Sequence, residues 1–242
     1  MPLDTNDFSA TSYQNMLREL KQRGYRFVNF ENSVRRDGTA IVRHDVDFSL
    51  EYAKKMAFMD SSAGIGATFF VLVSTEFYNI FSRAGRACLR DILGQGHEIG
   101  LHFDQSIYDV DGSAMEDAAR RECAILEDVL GRPVRVTAFH RPAQTPEVLG
   151  RPGLFAGRLS AYAPEFFSEI GYVSDSAGYW SYGHPLDHRA VESGRSIQIV
   201  AHPYLWMHEK AKTPFERIEG FRREREAFLV EELRRNLRYY PR

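Results

Sequence analysis

Apolar positions recur along the chain in two ways, at helical spacing and as short unbroken runs. Tyr13, Met16, Leu17 and Leu20 fall three and four apart and end at Gly24, which predicts a first helix with its stop. Tyr25 to Phe30 and Ile41 to Asp47 read as strands. Ser49 is placed to cap a helix that turns Leu50, Ala53, Met56 and Ala57 inward. Ala67 to Val73 is the continuous apolar run of a buried parallel strand. A helix through Ala87 to Leu93 ends near Gly94 and Gly96, and Ile99 to His102 gives the next strand. Ser113 and Glu116 have capping-box spacing for a helix reaching Leu130, with Gly131 as its stop. Strands follow at Val134 to His140, Gly171 to Asp175 and Ile197 to His202. Thr213, Pro214 and Glu216 then open a final helix carrying Ile218, Phe221, Phe228, Leu229, Leu233 and Leu237.

Strands separated by helices predict βα units and a parallel sheet. About seven strands suit a (β/α) barrel better than a doubly wound sheet, and either places chemistry at the C-terminal strand ends. The expected organisation is one domain over 1–242: an N-terminal helix and strand (1–39), a motif-bearing barrel (40–207) and a C-terminal helix (213–240). The 242 residues are 43% hydrophobic with a net charge of −2, so no basic footprint for nucleic acid exists. No run of 18 apolar residues occurs, so no membrane insertion is expected. The polar, acidic stretch from Met1 to Ser12 has no signal-peptide pattern, and a cytoplasmic location is the expectation. Cys88 and Cys123 read as reduced, packed thiols. The final helix, apolar on one stripe and highly charged, suits a barrel exterior or a homodimer contact equally.

The informative feature is what ends the strands. Ile41 to Asp47 ends in Asp45 and Asp47, and His97 to Asp104 ends in His102 and Asp104. The other three runs end in His140 and Arg141, in Asp175, and in His202. Residues two apart share a face, so Asp45 pairs with Asp47 and His102 with Asp104. Close carboxylates beside imidazoles suit a divalent cation such as Zn²⁺. Taken singly each has a structural reading too, as helix cap, core histidine, ion-pair partner or turn. His44, on the opposite face, reads as packing, His97 as structural, and His184, His188 and His208 as loop residues at the surface.

These motifs resemble those of the polysaccharide-deacetylase family, carbohydrate esterase family 4 or the NodB homology domain, over about residues 40–207. Gly96-His-Glu-Ile-Gly-Leu-His102 is the most specific match. Arg43-His-Asp45-Val-Asp47 is similar to the family's Asp-Asp motif, Phe139-His-Arg-Pro142 to its Arg-x-Pro motif, and Tyr172-Val-Ser-Asp175 and Ile199-Val-Ala-His202-Pro to its last two. Two departures stand out. Ser106 occupies the later position of the family's His-x-x-x-His, and one residue separates the aspartates. Aligning on Pro142 also puts His140, not Arg141, at the family's arginine position. The motif set further resembles an intracellular branch linked to bacterial O-antigen and other surface-glycan biosynthesis.

The resemblance implies a distorted, incomplete (β/α) barrel and a metal-dependent hydrolase that removes an N-acyl group, acetyl above all, from an amino sugar. Asp47, His102 and Asp104 would hold the metal, with His140 in reserve for Asp104. Asp45 would be the base and His202 the acid, although the aspartates' roles could be exchanged. Arg141 would hold Asp45 or face the anionic intermediate, and Asp175 would orient His202. Tyr78, Trp180, Tyr204 and Trp206 are candidate sugar-binding rings. The expected substrate is a nucleotide sugar or lipid-linked glycan. A deformylase or other small-amide hydrolase is the near rival, and a non-catalytic glycan-binding pseudoenzyme the distant one.

Overall fold

Eight mutually parallel strands frame the fold, and their order brings the polar strand ends together. The structure, a computed structural model, describes residues 7–32, 37–108, 112–144 and 146–241. The strands are β1 (Arg26–Phe27), β2 (Thr39–Val46), β3 (Thr68–Leu72), β4 (Glu98–Phe103), β5 (Val136–Phe139), β6 (Leu154–Phe155), β7 (Arg158–Ser160), β8 (Gly171–Ser174) and β9 (Ile197–Ala201). They follow the order β6-β7-β5-β4-β3-β2-β9-β8, with β1 on the flank of β2. Only the short β6–β7 pair is antiparallel. Register aligns the C-terminal ends: Leu72 lies opposite His102, His102 opposite Ala138, and His44 opposite Ala201.

Among the described residues the two ends of this path do not pair, so the barrel is distorted and open. Side chains bridge the seam. Gln198 on β9 donates Nε2–H bonds to the carbonyls of Ala161 (3.1 Å) and Phe166 (2.6 Å). Tyr162, just past β7, meets Tyr172 of β8 with ring centroids 6.4 Å apart.

Helices cover the outside: α1 (Ala10–Gln22), α2 (Leu50–Ser62), α3 (Arg83–Gly94), α4 (Gly112–Leu130), the single turns α5 (Pro164–Phe167), α6 (Arg189–Glu192) and α7 (Pro203–Trp206), and α8 (Pro214–Asn236). Their caps follow the sequence. Ser49 accepts from the Tyr52 amide and Thr213 from that of Glu216, satisfying amides that have no partner inside a helix. The Ser113 cap is corrected: α4 already includes Gly112, which puts Ser113 inside its first turn. Cys88 and Cys123 are free and buried. His184, expected at the surface, is buried and accepts the Leu186 amide. No helix among the described residues is long and apolar enough to cross a membrane.

Strand alternation splits β2 into two chemistries. His44 faces α1 and α2, where its Nε2 lies 2.7 Å from Asp60 and Tyr13 donates to that same carboxylate at 2.8 Å. Arg43 and Asp45 face the barrel interior. Gly100 serves that interior, because a Cβ there would stand 2.6 Å from the ring of Phe70, over which Arg43 lies.

His97 packs between α2 and the start of β3. Its Nδ1 accepts the Ala67 amide (3.2 Å) and its Nε2–H donates to Ala57 (2.8 Å), so the ring is neutral in the fold. Burial lowers its pKa below the ordinary 6.5. The unfolded chain therefore takes up this proton first as pH falls. The stabilisation is complete above about 6.5 and is lost below it, with a slope of up to about 1.4 kcal/mol per pH unit. Urea midpoints between pH 8 and 5 should fall in the wild type and fall less steeply in His97→Gln; superimposed slopes would contradict this role.

Candidate active site

The polar strand ends converge on a cavity of about 410 Å³ at the C-terminal end of the sheet, lined in part by Asp45, Asp47, His102, His140, Tyr204 and His202. β2 delivers Asp45 and Asp47, β4 delivers His102, β5 runs directly into His140, and β9 into His202.

Asp45 is held by Arg43. The guanidinium donates Nε–H and Nη2–H to the two carboxylate oxygens, each at 2.8 Å, and both side chains are buried. Arg43 also donates to the Tyr162 hydroxyl at 2.8 Å and lies 4.6 Å from that ring centroid and 5.1 Å from that of Phe70. Burial alone would raise the Asp45 pKa, but Arg43 outweighs it and sets the value at about 2.

Asp47, His102 and His140 form a second group, with ligand-capable atoms all within 4.8 Å of one another. His102 Nδ1 lies 3.2 Å from the Ala138 carbonyl, which can only accept, so the proton sits there and Nε2 presents a lone pair. That lone pair points toward Asp47 Oδ1 at 3.3 Å, with His140 Nδ1 3.2 Å from His102 Nε2 and 3.4 Å from Asp47. Asp47 Oδ1 is buried without a hydrogen-bond partner. Electron-rich atoms crowded this closely repel unless a proton on His140 or a cation lies among them, and two imidazoles with a carboxylate are donors that Zn²⁺ accepts. The residues therefore fit a divalent metal.

His202 stands beside both groups, its Nε2 3.9 Å from Asp47 Oδ2. Its Nδ1 lies 2.5 Å from Asp175, whose carboxylate also accepts the His202 amide and, at 2.8 Å, the Nε1–H of Trp206. Burial opposes a charge on His202, yet Asp175 and the site aspartates outweigh it and raise its pKa to about 9.

Several other residues singled out in the sequence make contacts different from those expected. Asp104 follows the end of β4, where strand alternation no longer applies. It caps a single 3₁₀ turn, accepting from the Ser106 amide (3.0 Å) and hydroxyl (2.7 Å), and pairs with Arg141. Arg141, at φ 54°, sits in the left-handed region; it lines the cavity, and its guanidinium donates to Asp104 and Ser106, not to Asp45. His140, not Asp104, stands beside Asp47 and His102, and Arg43, not Arg141, holds Asp45. Of the four candidate rings, Tyr204 lines the cavity. Tyr78 braces strand ends instead, donating to the Val46 carbonyl and accepting the Leu72 amide. Trp206 is buried against Phe8 and Tyr13, and Trp180 packs on Trp206 and His184. Sequence reading passed over Arg43, although its place two residues before Asp45 puts both on one face. Tyr162 and Tyr172 carried no such signal, because the seam they bridge is a product of the fold.

No family model matches the chain, and no curated protein matches it. Solved structures do. IcaB from Ammonifex degensii is 20% identical, with a TM-score of 0.41 over 53% of this chain and 65% of that one, so this chain spans under two thirds of its length. Deacetylase PplD from Streptococcus pyogenes, in complex with acetate, is 12% identical, with a TM-score of 0.45 over 79% and 80%. A family 4 carbohydrate esterase from Bacillus anthracis is 14% identical, with a TM-score of 0.43 over 88% and 86%.

Cobalt(II) titrated into the purified protein should give a d–d absorption band saturating near one equivalent. His102→Ala and His140→Ala should abolish the band, and Asp104→Ala should keep it. A band that survives in His140→Ala and vanishes in Asp104→Ala would reverse the assignment.

Proposed function

We propose that this protein is a metal-dependent hydrolase that removes a small N-acyl group, acetyl in the first instance, from an amino sugar. One observation carries the reading: an ionised carboxylate, a cluster of metal donors and a protonated imidazole share one cavity. Asp45 lies 3.8 Å from His102, and His202 lies 3.9 Å from Asp47. Hydrolysis of an amide needs a base for water, a Lewis acid at the carbonyl and an acid for the leaving nitrogen, and this site has residues for each.

A divalent cation held by Asp47, His102 and His140 would polarise the acyl carbonyl and make water more acidic. Asp45 takes the proton from the attacking water. Its tie to Arg43 keeps it ionised and fixed in direction, at some cost in basicity. His202 donates its Nε2 proton to the amide nitrogen as the C–N bond breaks, giving a free amine and a carboxylate. Asp175 holds the Nδ1 proton throughout and stabilises the imidazolium. Trp206 fixes Asp175 from behind.

The reading extends to zinc, which suits two imidazoles and a carboxylate. It extends to a substrate among the precursors of bacterial surface glycans, on the strength of the motif resemblance, and to action in the cytoplasm.

The test is amine release from a panel of N-acetyl and N-formyl amino sugars with ureides as controls. The wild type should release amine from an N-acyl sugar and stop in excess EDTA. His202→Ala should lose about 10² to 10⁴ in rate while keeping its metal, as expected for a proton-transfer group. Undiminished turnover in EDTA, or loss of metal in His202→Ala, would overturn the assignment of roles.

A further inference from the structure

Beyond the cavity mouth the surface changes character. Phe48 follows Asp47 directly and Tyr204 lies two residues past His202, and both line the cavity. Phe48 continues outward into two more rings. Its centroid lies 4.8 Å from that of Phe77, 4.9 Å from that of Tyr204 and 5.7 Å from that of Phe221 on α8, and Phe77 and Phe221 are 6.1 Å apart. Phe77 is 41% exposed although it packs in this group.

The cluster is thus an apolar rim continuous with the reaction site. Its rings meet at 78°, 90°, 45° and 65°, and its one polar atom is the Tyr204 hydroxyl. Phenylalanine edges cannot return the hydrogen bonds that sugar hydroxyls would lose on leaving water, whereas hydrocarbon loses none. His202, which protonates the leaving nitrogen, has its ring centroid 6.3 Å from that of Tyr204 on this rim. The part of a substrate beyond the leaving amine therefore passes over the rim.

We propose that Phe48, Phe77, Phe221 and Tyr204 form a subsite for a hydrocarbon aglycone, so that the substrate is an amino sugar attached to a lipid-like chain. This rests on the deacylase reading for the direction in which the substrate lies. Each methylene buried on the rim should raise affinity roughly fourfold.

The test compares the methyl and octyl glycosides of N-acetylglucosamine and the N-octanoyl methyl glycoside, all below micelle-forming concentration. Binding is measured by calorimetry on the His202→Ala protein, and amine release on the wild type. The octyl glycoside should bind at least about tenfold more tightly than the methyl glycoside, equivalent to fewer than two buried methylenes. Phe77→Ala and Phe221→Ala, each introduced into that same protein and checked by circular dichroism, should erase the advantage and leave methyl-glycoside binding unchanged. Equal affinities, an advantage that survives both substitutions, or an advantage that belongs to the N-octanoyl compound would each overturn the subsite. Tight octyl binding without amine release would leave the subsite standing and remove the deacylase reading. Release from the methyl glycoside without octyl preference would do the reverse.

Discussion

The ion pair of Arg43 with Asp45 is the interaction on which the barrel interior depends. Burying a guanidinium costs several kcal/mol unless its donors and charge are all answered. Here the answers come from separate parts of the chain: Asp45 on the same strand, Gln198 on β9 at 3.3 Å, Tyr162 beyond β7, and the Phe70 ring on β3. Gln198 and Tyr162 are also the residues that bridge the open seam. One buried cation therefore organises the closure of the barrel and fixes the carboxylate that faces the cavity. Removing either partner would leave the other charge buried and alone, which typically costs about 3–5 kcal/mol.

Around this pair the site sorts its charges by environment. Asp45 is ionised by Arg43. His202 keeps its proton because Asp175 lies behind it, and Asp175 is itself buried and tied to Trp206. Trp206 packs on Phe8 and Tyr13, and Tyr13 bonds Asp60 beneath β2. Helix α1, distant from the cavity, thus helps to position the imidazole through contiguous packing.

The periodicity of the chain made most of the fold legible, because seven strand runs and the long helices follow hydrophobic spacing that tertiary contacts did not override. The β6–β7 hairpin was hidden because each strand has only two or three residues. At the site, legibility followed the reach of strand alternation. It holds from Arg43 through Asp45, which share the barrel interior. It fails at Asp104, where β4 has ended and the backbone enters a 3₁₀ turn, and at Arg141, where a left-handed residue redirects the chain. Serine at position 106 gains its meaning there, as a hydroxyl that joins Asp104 to Arg141. Trp206 looked like a pocket ring because it lies near a strand end, yet α7 turns it inward to Asp175. The aromatic rim was not legible at all, since Phe48, Phe77 and Phe221 come from three distant stretches of sequence that only the fold brings together.

In the proposed site, Asp47, His102 and His140 hold one divalent cation beside Asp45 and His202. X-ray absorption spectroscopy of the zinc-loaded protein reads those ligands. The first coordination shell should be nitrogen and oxygen at about 2.0–2.1 Å, with the multiple-scattering signature of two imidazoles and no sulfur. A spectrum with a single imidazole, or zinc that fails to bind at all, would contradict it.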